Sequence, residues 1–543
     1  MAYKSLPFVG RRYLYDGSGN FFVKSVKLTI VEWYTYVTGG LRMNIIGKQN
    51  FDQISTEVLI VGVQKQCQHI QGWDSFVSFF GEQLENWIRT GDVESERKRF
   101  TRLPYMGENQ HLKRVLFVGL GETKTLTKNV LRETFGMVGK QLRQMKVHKF
   151  SIWLESFTAA PIDEKEAAFL FAEGSGMGFY QVPHYKTTSN EVDVYLDEVY
   201  LISNSNHDEL IEQYRLGSIY ADAVNEARTL VNLPPNLLTA VDLADYAEDL
   251  AKQYDFEVEI LNKAQLEELG MGGILAVNRG SIHEPRLITL KYQGQHEWKD
   301  VMGLVGKGVT YDTGGYSIKS KTGMIGMKGD MGGAAAVLGA MKIIGETKPK
   351  KNVVAVIGAT DNMISGDSLK PDDVITTYSG KTVEVRNADA EGRLVLADAV
   401  SYAKQHGANF LIDVATLTGG VITALGYDKT GALTNNEGFF DAFIEASILS
   451  GEFVWGMPLT ERDKKRIRES QIADLNNSPG SDGHMIFAGG FVGEFVDQTP
   501  WIHLDIAGTS DTSKPHELGP KGGTGVMVRT LATFVRNFEV GKI

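Results

Sequence analysis

Two glycine-rich stretches, GLVGKGVTYDTGGYSIKSKTGMIGMKGDMGG at 303–333 and RNADAEGRLVLAD at 386–398, hold Lys307, Asp312, Lys319, Asp330, Asp389, Glu391 and Arg393. Four of these seven residues are carboxylates, with three cations among them. Carboxylates that converge in a sheltered place push one another towards protonation unless positive charge balances them. Two divalent metal ions would bring that charge. A chain with this pattern must therefore bring two separate segments to one site.

The apolar residues before Gly306-Lys307-Gly308 read as the end of a buried strand. Ligands of α/β proteins gather at the carboxyl ends of such strands. A lysine can ligate a metal only as a neutral amine, and burial beside a dication favours that form. In Asn387-Ala388-Asp389-Ala390-Glu391-Gly392-Arg393 functional and small residues alternate. Drawn out as a strand, this segment would place Asp389, Glu391 and Arg393 on one face. Taken alone it would read as a salt-bridged turn opening the helix RLVLADAVSYAKQH, which should stop at Gly407. The paired acidic block earlier in the chain favours a functional reading.

The expected fold class is α/β with two domains: an N-terminal α/β domain with a largely parallel sheet, and a C-terminal mixed α/β catalytic domain, joined by a long helix. At 543 residues the chain exceeds one ordinary core. Residues 1–42 read as an extension with at most one added edge strand in the loosely alternating 26–37 segment, and Met43 is a candidate natural start. Over 43–205 strand runs alternate with helical ones: EVLIVGV (57–63), a helical stretch from Ser75 to Gly91, RVLFVGLG (114–121), a helix over 126–145, KFSIWLES (149–156) and EVYLIS (198–203). The segment 206–231 is the linker helix, stopped by Pro234 and Pro235. Residues 232–543 form the catalytic domain.

Other chemistries find less support. GLGETKT at 119–125 lacks the phosphate-loop spacing and reads as a strand-to-helix turn; HELGP at 516–520 has Pro520 where a zincin needs its second histidine. No nucleophile elbow is present. His484 and His503 read as structural histidines, and Cys67 as a structural thiol. Hydrophobic residues at 42% and charged residues at 23% fit a soluble globular chain. The net charge of −11 argues against nucleic acid or membrane as the main partner. One cysteine, no secretory signal and no apolar run of the ~20 residues that span a bilayer point to the cytoplasm.

NADAEGRL, VGKGVTYDTGG and KGDMGGAA resemble the cytosol (leucyl) aminopeptidase family, and the resemblance runs from about 208 to 535. ARTLVNLPPNLLT, MGGILAVNRGS, DVATLTG, WIHLDIAGT and GGTGVMVRTL extend it. The N-terminal domain resembles the family's only in its strand–helix pattern. The resemblance implies a metallo-aminopeptidase acting on peptide substrates with two divalent ions, Mn²⁺ or Zn²⁺, with Co²⁺ and Mg²⁺ as further candidates. Lys307, Asp312, Asp330 and Glu391 would hold the tighter ion, and Asp312, Asp389 and Glu391 the more exchangeable one. Lys319 would stabilise the tetrahedral intermediate, and Arg393 would hold a bicarbonate as general base. Met327, Thr416, Gly419 and Ala507 match the side-chain pocket. The family also implies a homohexamer.

Ser320, the KTGMIGM segment and Ser510 depart from the family pattern, and GGYSIK is nearer the bacterial peptidase B branch, so a leucine preference does not follow. The alternatives are a narrow Cys-Gly-type dipeptidase and a binding or regulatory protein on the same fold, for example one that binds DNA. Intact site residues on an acidic chain argue against the last.

Overall fold

The computed structural model describes residues 8–15, 21–28, 44–186 and 196–542. They form two compact units, one within 35–225 and 514–520, the other within 1–34, 226–513 and 521–543. β1 (Phe8–Tyr15) and β2 (Phe21–Leu28) pair as an antiparallel hairpin, where the sequence suggested at most one strand. The rest of the 26–37 pattern, and Met43, lie outside the described residues.

The smaller unit is built on β3 (Asn44–Lys48), β4 (Val58–Gln64), β5 (Phe100–Pro104), β6 (Arg114–Gly121), β7 (Lys149–Trp153) and β8 (Glu198–Ile202). Their order is β3-β8-β7-β4-β6-β5, parallel except for the edge strand β5. Strand periodicity sorts its core into two faces. Val58 and Ile60 of β4 join Leu116 and Val118 of β6 under helices Lys128–Gln144 and Glu164–Phe179. Leu59 and Val61 join Val115 and Phe117 on the other side, with Trp73, Phe76 and the buried Cys67. Sandwiched strands of this kind carry nearly continuous apolar runs, and EVLIVGV and RVLFVGLG are such runs. The helical stretch around Gly81 divides into Trp73–Phe80 and Gln83–Thr90. GLGETKT is the end of β6 followed by a short turn.

Helix His207–Asn232 runs through the chain boundary between the units. The larger unit contains β9 (Glu257–Leu261), β10 (Arg286–Gln293), β11 (Val301–Asp312), β12 (Asn352–Asn362), β13 (Val374–Thr376), β14 (Thr382–Glu384), β15 (Ala408–Ala415), β16 (Thr430–Thr434), β17 (Val454–Gly456), β18 (Leu475–Asn476) and β19 (Trp501–Asp505). Its main sheet has the order β17-β16-β19-β15-β11-β12-β10-β9, with β12, β11, β15 and β19 parallel at the centre. This is the mixed sheet of an α/β fold.

Two helices cover opposite faces of β11. A Cβ at Gly306 would lie 2.8 Å from Ala334 Cα in helix Gly332–Thr347, whereas the next residue, Lys307, lies against Gly392 at the start of helix Gly392–Gln405. Parallel strands that share one direction bring Asp312, Asn362, Thr416 and Asp505 to a common carboxyl edge. Among the described residues no helix is long and apolar enough to cross a membrane.

Candidate active site

Lys307 is 2% exposed within β11. Its Nζ donates to Asp330 Oδ1 at 2.8 Å and to the carbonyl of Thr416 at 2.9 Å, and lies 2.9 Å from Glu391 Oε1. Burial pulls the lysine pKa down, but attraction to Asp330, Glu391 and Asp312 outweighs it and the net direction is up. A cation placed among the same oxygens would turn that balance the other way.

Asp312 ends β11, where its Oδ1 accepts from Gly314 N at 2.8 Å and from Asn362 Nδ2 at 2.9 Å. The turn after it depends on Gly314, which has φ +84, and a Cβ there would also lie 2.7 Å from Asp389 Oδ1. That turn returns Lys319 to the site, with Nζ 2.8 Å from Asp312 Oδ2 and bonded to Asp389 Oδ1. Asp330 follows the short helical turn Met327–Gly329, and Thr416 Oγ1 donates to its Oδ1 at 2.7 Å.

The second acidic segment is not a strand. Ala390 N bonds to Asn387 O at 3.2 Å, Glu391 has helical φ and ψ, and helix Gly392–Gln405 begins directly after it. Period-two alternation therefore does not align Asp389, Glu391 and Arg393; a turn and a helix start do. The cause is Asn477, a fully buried residue beyond β18. Its side chain accepts from Arg386 N at 2.8 Å and donates to Asn387 O at 2.7 Å, satisfying backbone groups that a strand partner would otherwise take. Its carbonyl accepts from Arg393 Nη1 at 2.6 Å.

One carboxylate oxygen each from Asp312, Asp330 and Glu391 lies within 4.8 Å of the others. Burial and then the charge of Glu391 push the Asp312 carboxyl up to about 6. Burial raises Asp330 to about 8 despite Lys307 beside it. Among the described residues, Asp330 Oδ2 and Glu391 Oε2 are buried with no hydrogen-bond partner. Buried acceptors without donors are costly, and hard oxygen donors at this spacing suit divalent cations. The donor set fits a metal.

Of the expected pocket residues, Met327 and Thr416 adjoin this cluster. Met327 leads into Asp330, and Thr416 is bonded to it. Asp505 joins the two remaining segments, accepting from Leu417 N at 3.2 Å and Ala507 N at 3.1 Å, and its Oδ2 from Thr418 Oγ1 at 2.6 Å. A Cβ at Gly419 would meet nothing within 4 Å, and one at Gly332 would sit 3.3 Å from Thr416 and 3.4 Å from Ser510. There is thus space beside Gly419, while Gly332 packs against Thr416 and Ser510.

The model for the cytosol aminopeptidase catalytic domain matches residues 225–532, and that for the family's N-terminal domain matches 60–189. The chain belongs to the cytosol aminopeptidase family. Probable cytosol aminopeptidases of Bacillus licheniformis and Bacillus subtilis are each 50% identical to it, over 89% of this chain and 97% of theirs. Among solved structures, a lysine-to-glutamate mutant of tomato leucine aminopeptidase matches with TM-score 0.80 and 30% identity, over 91% of this chain and 97% of that one. The bottromycin maturation enzyme BotP in complex with Mn matches with TM-score 0.78 and 29% identity, over 89% and 99%. Family membership makes the chain a metallo-aminopeptidase, a hydrolase of the exopeptidase class.

Asn362, Asn477 and Asp505 are the residues that sequence reasoning missed. Each works through hydrogen bonds to distant backbone; Asn362 and Asn477 stand in no motif, and Asp505 lies within WIHLDIAGT, where nothing in the residue pattern marks its role.

Proposed function

We propose that the enzyme removes N-terminal residues from peptides with two divalent ions per subunit. Lys307, Asp312, Asp330 and Glu391 would hold one ion, and Asp312, Asp389 and Glu391 the other. The observation that carries this reading is the pair of buried, unpartnered oxygens, Asp330 Oδ2 and Glu391 Oε2, within a cluster of three carboxylates. The BotP complex makes manganese the first metal to try, with zinc, cobalt and magnesium after it. When bound, the ions supply Lewis acidity and lower the pKa of water at neutral pH.

The chain's own residues supply the rest. Lys319 Nζ carries a fixed positive charge at the cluster's edge, suited to the oxygen of the scissile carbonyl as it becomes an oxyanion. Among the described residues Arg393 Nε is buried without a partner, a donor suited to a planar oxyanion. Bicarbonate held there would supply the general base that the acidic segments lack. Met327, Thr416, Gly419 and Ala507 would receive the side chain of the released residue, with Ser510 adding a polar wall.

We assign residues 43–205 to the N-terminal domain, 206–231 to the linker helix and 232–543 to the catalytic domain. The homohexamer comes from the family resemblance; the edge strand β17, with Phe453 and Trp455 55% and 61% exposed, offers an apolar surface for contact between copies. The names of the Bacillus relatives support a cytoplasmic location.

The test is hydrolysis of an aminoacyl-amide panel by metal-stripped protein after addition of Mn²⁺, Zn²⁺ or Co²⁺, with Glu391→Ala alongside. Metal-dependent release that disappears in the variant is expected. No release with any metal, from protein that is folded by circular dichroism, would reject the reading.

A further inference from the structure

Arg393 is 1% exposed, and its guanidinium is gripped by the two ends of one loop. At the near end, the Asn477 carbonyl accepts from Nη1 at 2.6 Å. At the far end, His484 Nε2 lies 3.4 Å from Nη2. Arginine has donors only, so Nε2 must be the acceptor, and the imidazole must be neutral with its proton on Nδ1. Burial and then the Arg393 charge push the His484 pKa down to about 4, which agrees with that form.

His484 opens helix His484–Gly493, and a Cβ on Gly420 would lie 2.9 Å from His484 Cβ. Gly420, next to Gly419, thus packs against the base of the His484 side chain, whose ring reaches Arg393. Each terminal nitrogen has one protein partner, and among the described residues Nε has none, so Nε is a donor open to a ligand.

We propose that His484, together with the Asn477 carbonyl, is a positioning residue for Arg393, fixing the guanidinium so that its Nε edge faces an oxyanion of the carboxylate or bicarbonate class. This rests on the role given above to Arg393. It replaces the reading of His484 as a purely structural histidine.

The test compares His484→Ala, His484→Gln, Arg393→Ala and the double variant His484→Ala/Arg393→Ala as full-length, metal-loaded protein. Each is first checked for an unchanged thermal midpoint. Displacing a positioned group costs about tenfold or more, so His484→Ala is expected to lower kcat by that factor with little change in KM. Glutamine, which offers an acceptor oxygen, should regain most of the loss. Because His484 acts through Arg393, the double variant should be no slower than Arg393→Ala alone.

The second measurement is calorimetric titration of bicarbonate into metal-stripped protein. Binding should weaken in His484→Ala and recover in His484→Gln. Wild-type kcat and wild-type bicarbonate binding in His484→Ala, with Arg393→Ala impaired, would overturn this inference and leave the role of Arg393 intact. Losses that multiply in the double variant would also overturn it. Full activity and full bicarbonate binding in Arg393→Ala would reject the role of Arg393 itself, and the role of His484 with it.

Discussion

Lys307 Nζ donates to Asp330 Oδ1 at 2.8 Å, and both side chains are at least nine-tenths buried. The pair is held by its surroundings: Thr416 contributes a carbonyl to the lysine and a hydroxyl to the aspartate. Breaking a buried ion pair from one side leaves an uncompensated charge, at a cost of about 3–5 kcal/mol. Lys307→Ala should therefore lower the unfolding free energy of metal-stripped protein by roughly that amount in a urea titration. The charge left behind is that of Glu391, whose carboxyl burial would raise but the Lys307 ammonium, 2.9 Å away, holds down; Glu391 can offset part of the loss by taking up a proton, so the deficit should shrink at low pH. A deficit within about 0.5 kcal/mol, the range of a surface change, would contradict the account.

His503 Nδ1 lies 2.6 Å from Asp413 Oδ1, with both side chains fully buried, and Trp501 Nε1 donates to the other carboxylate oxygen at 2.7 Å. Burial lowers the His503 pKa, but the attraction of Asp413 outweighs it, so the folded-state value is raised. A raised histidine pKa contributes stability that is complete below the unfolded value of about 6.5 and is lost as pH rises through the folded value. The unfolding free energy should thus fall with pH above about 6.5, and this component should vanish in His503→Gln. Equal slopes in the two proteins would show that the pair does not titrate on unfolding.

Much of the catalytic unit was legible because its signals are local. The apolar runs VVAVIGAT (353–360) in β12 and RLITLKY (286–292) in β10 are strand-like in composition alone, and Gly407, with φ +89, does end helix Gly392–Gln405 one residue beyond His406. The candidate site was legible as two acidic, glycine-rich blocks, and the structure brings Asp312 and Asp330 of one together with Glu391 of the other. The conformation of 387–391 was not legible. It is set by Asn477, some ninety residues away in sequence, whose side-chain amide stands in for a strand partner. The placement of 514–520 in the smaller unit was equally hidden, because it rests on contacts such as Lys98 Nζ to Glu517 Oε1 at 2.7 Å, which no periodicity reports.

Phe453 and Trp455 stand beside or on β17, the outer strand of the catalytic sheet, with Ile448 60% exposed nearby in sequence. An exposed apolar sheet edge is stable in solution only when covered or blunted. Trp455→Glu should shift the sedimentation coefficient of the native protein towards a smaller species while leaving its circular dichroism unchanged. An unaltered sedimentation coefficient would remove β17 from the assembly surface.

Gly392 offers the most specific probe of the centre. It is the first residue of the helix after Glu391, and a Cβ there would lie 2.4 Å from Lys307 Cε and 2.7 Å from Nζ. The backbone at this position is helical, so alanine brings no conformational strain of its own. Its methyl group must instead displace the lysine head from Asp330 and Glu391. Gly392→Ala should fold, yet bind Mn²⁺ about 10- to 100-fold more weakly, as is usual when a group that orients metal ligands is disturbed. The measurement is the rise of the thermal midpoint with Mn²⁺ concentration: metal that binds only the native state stabilises it by about 2.7 kcal/mol at 100 times Kd. The variant's curve should follow the wild-type curve at correspondingly higher metal. Superimposable curves would mean that Lys307 can yield without loss, and would take it out of the ligand set.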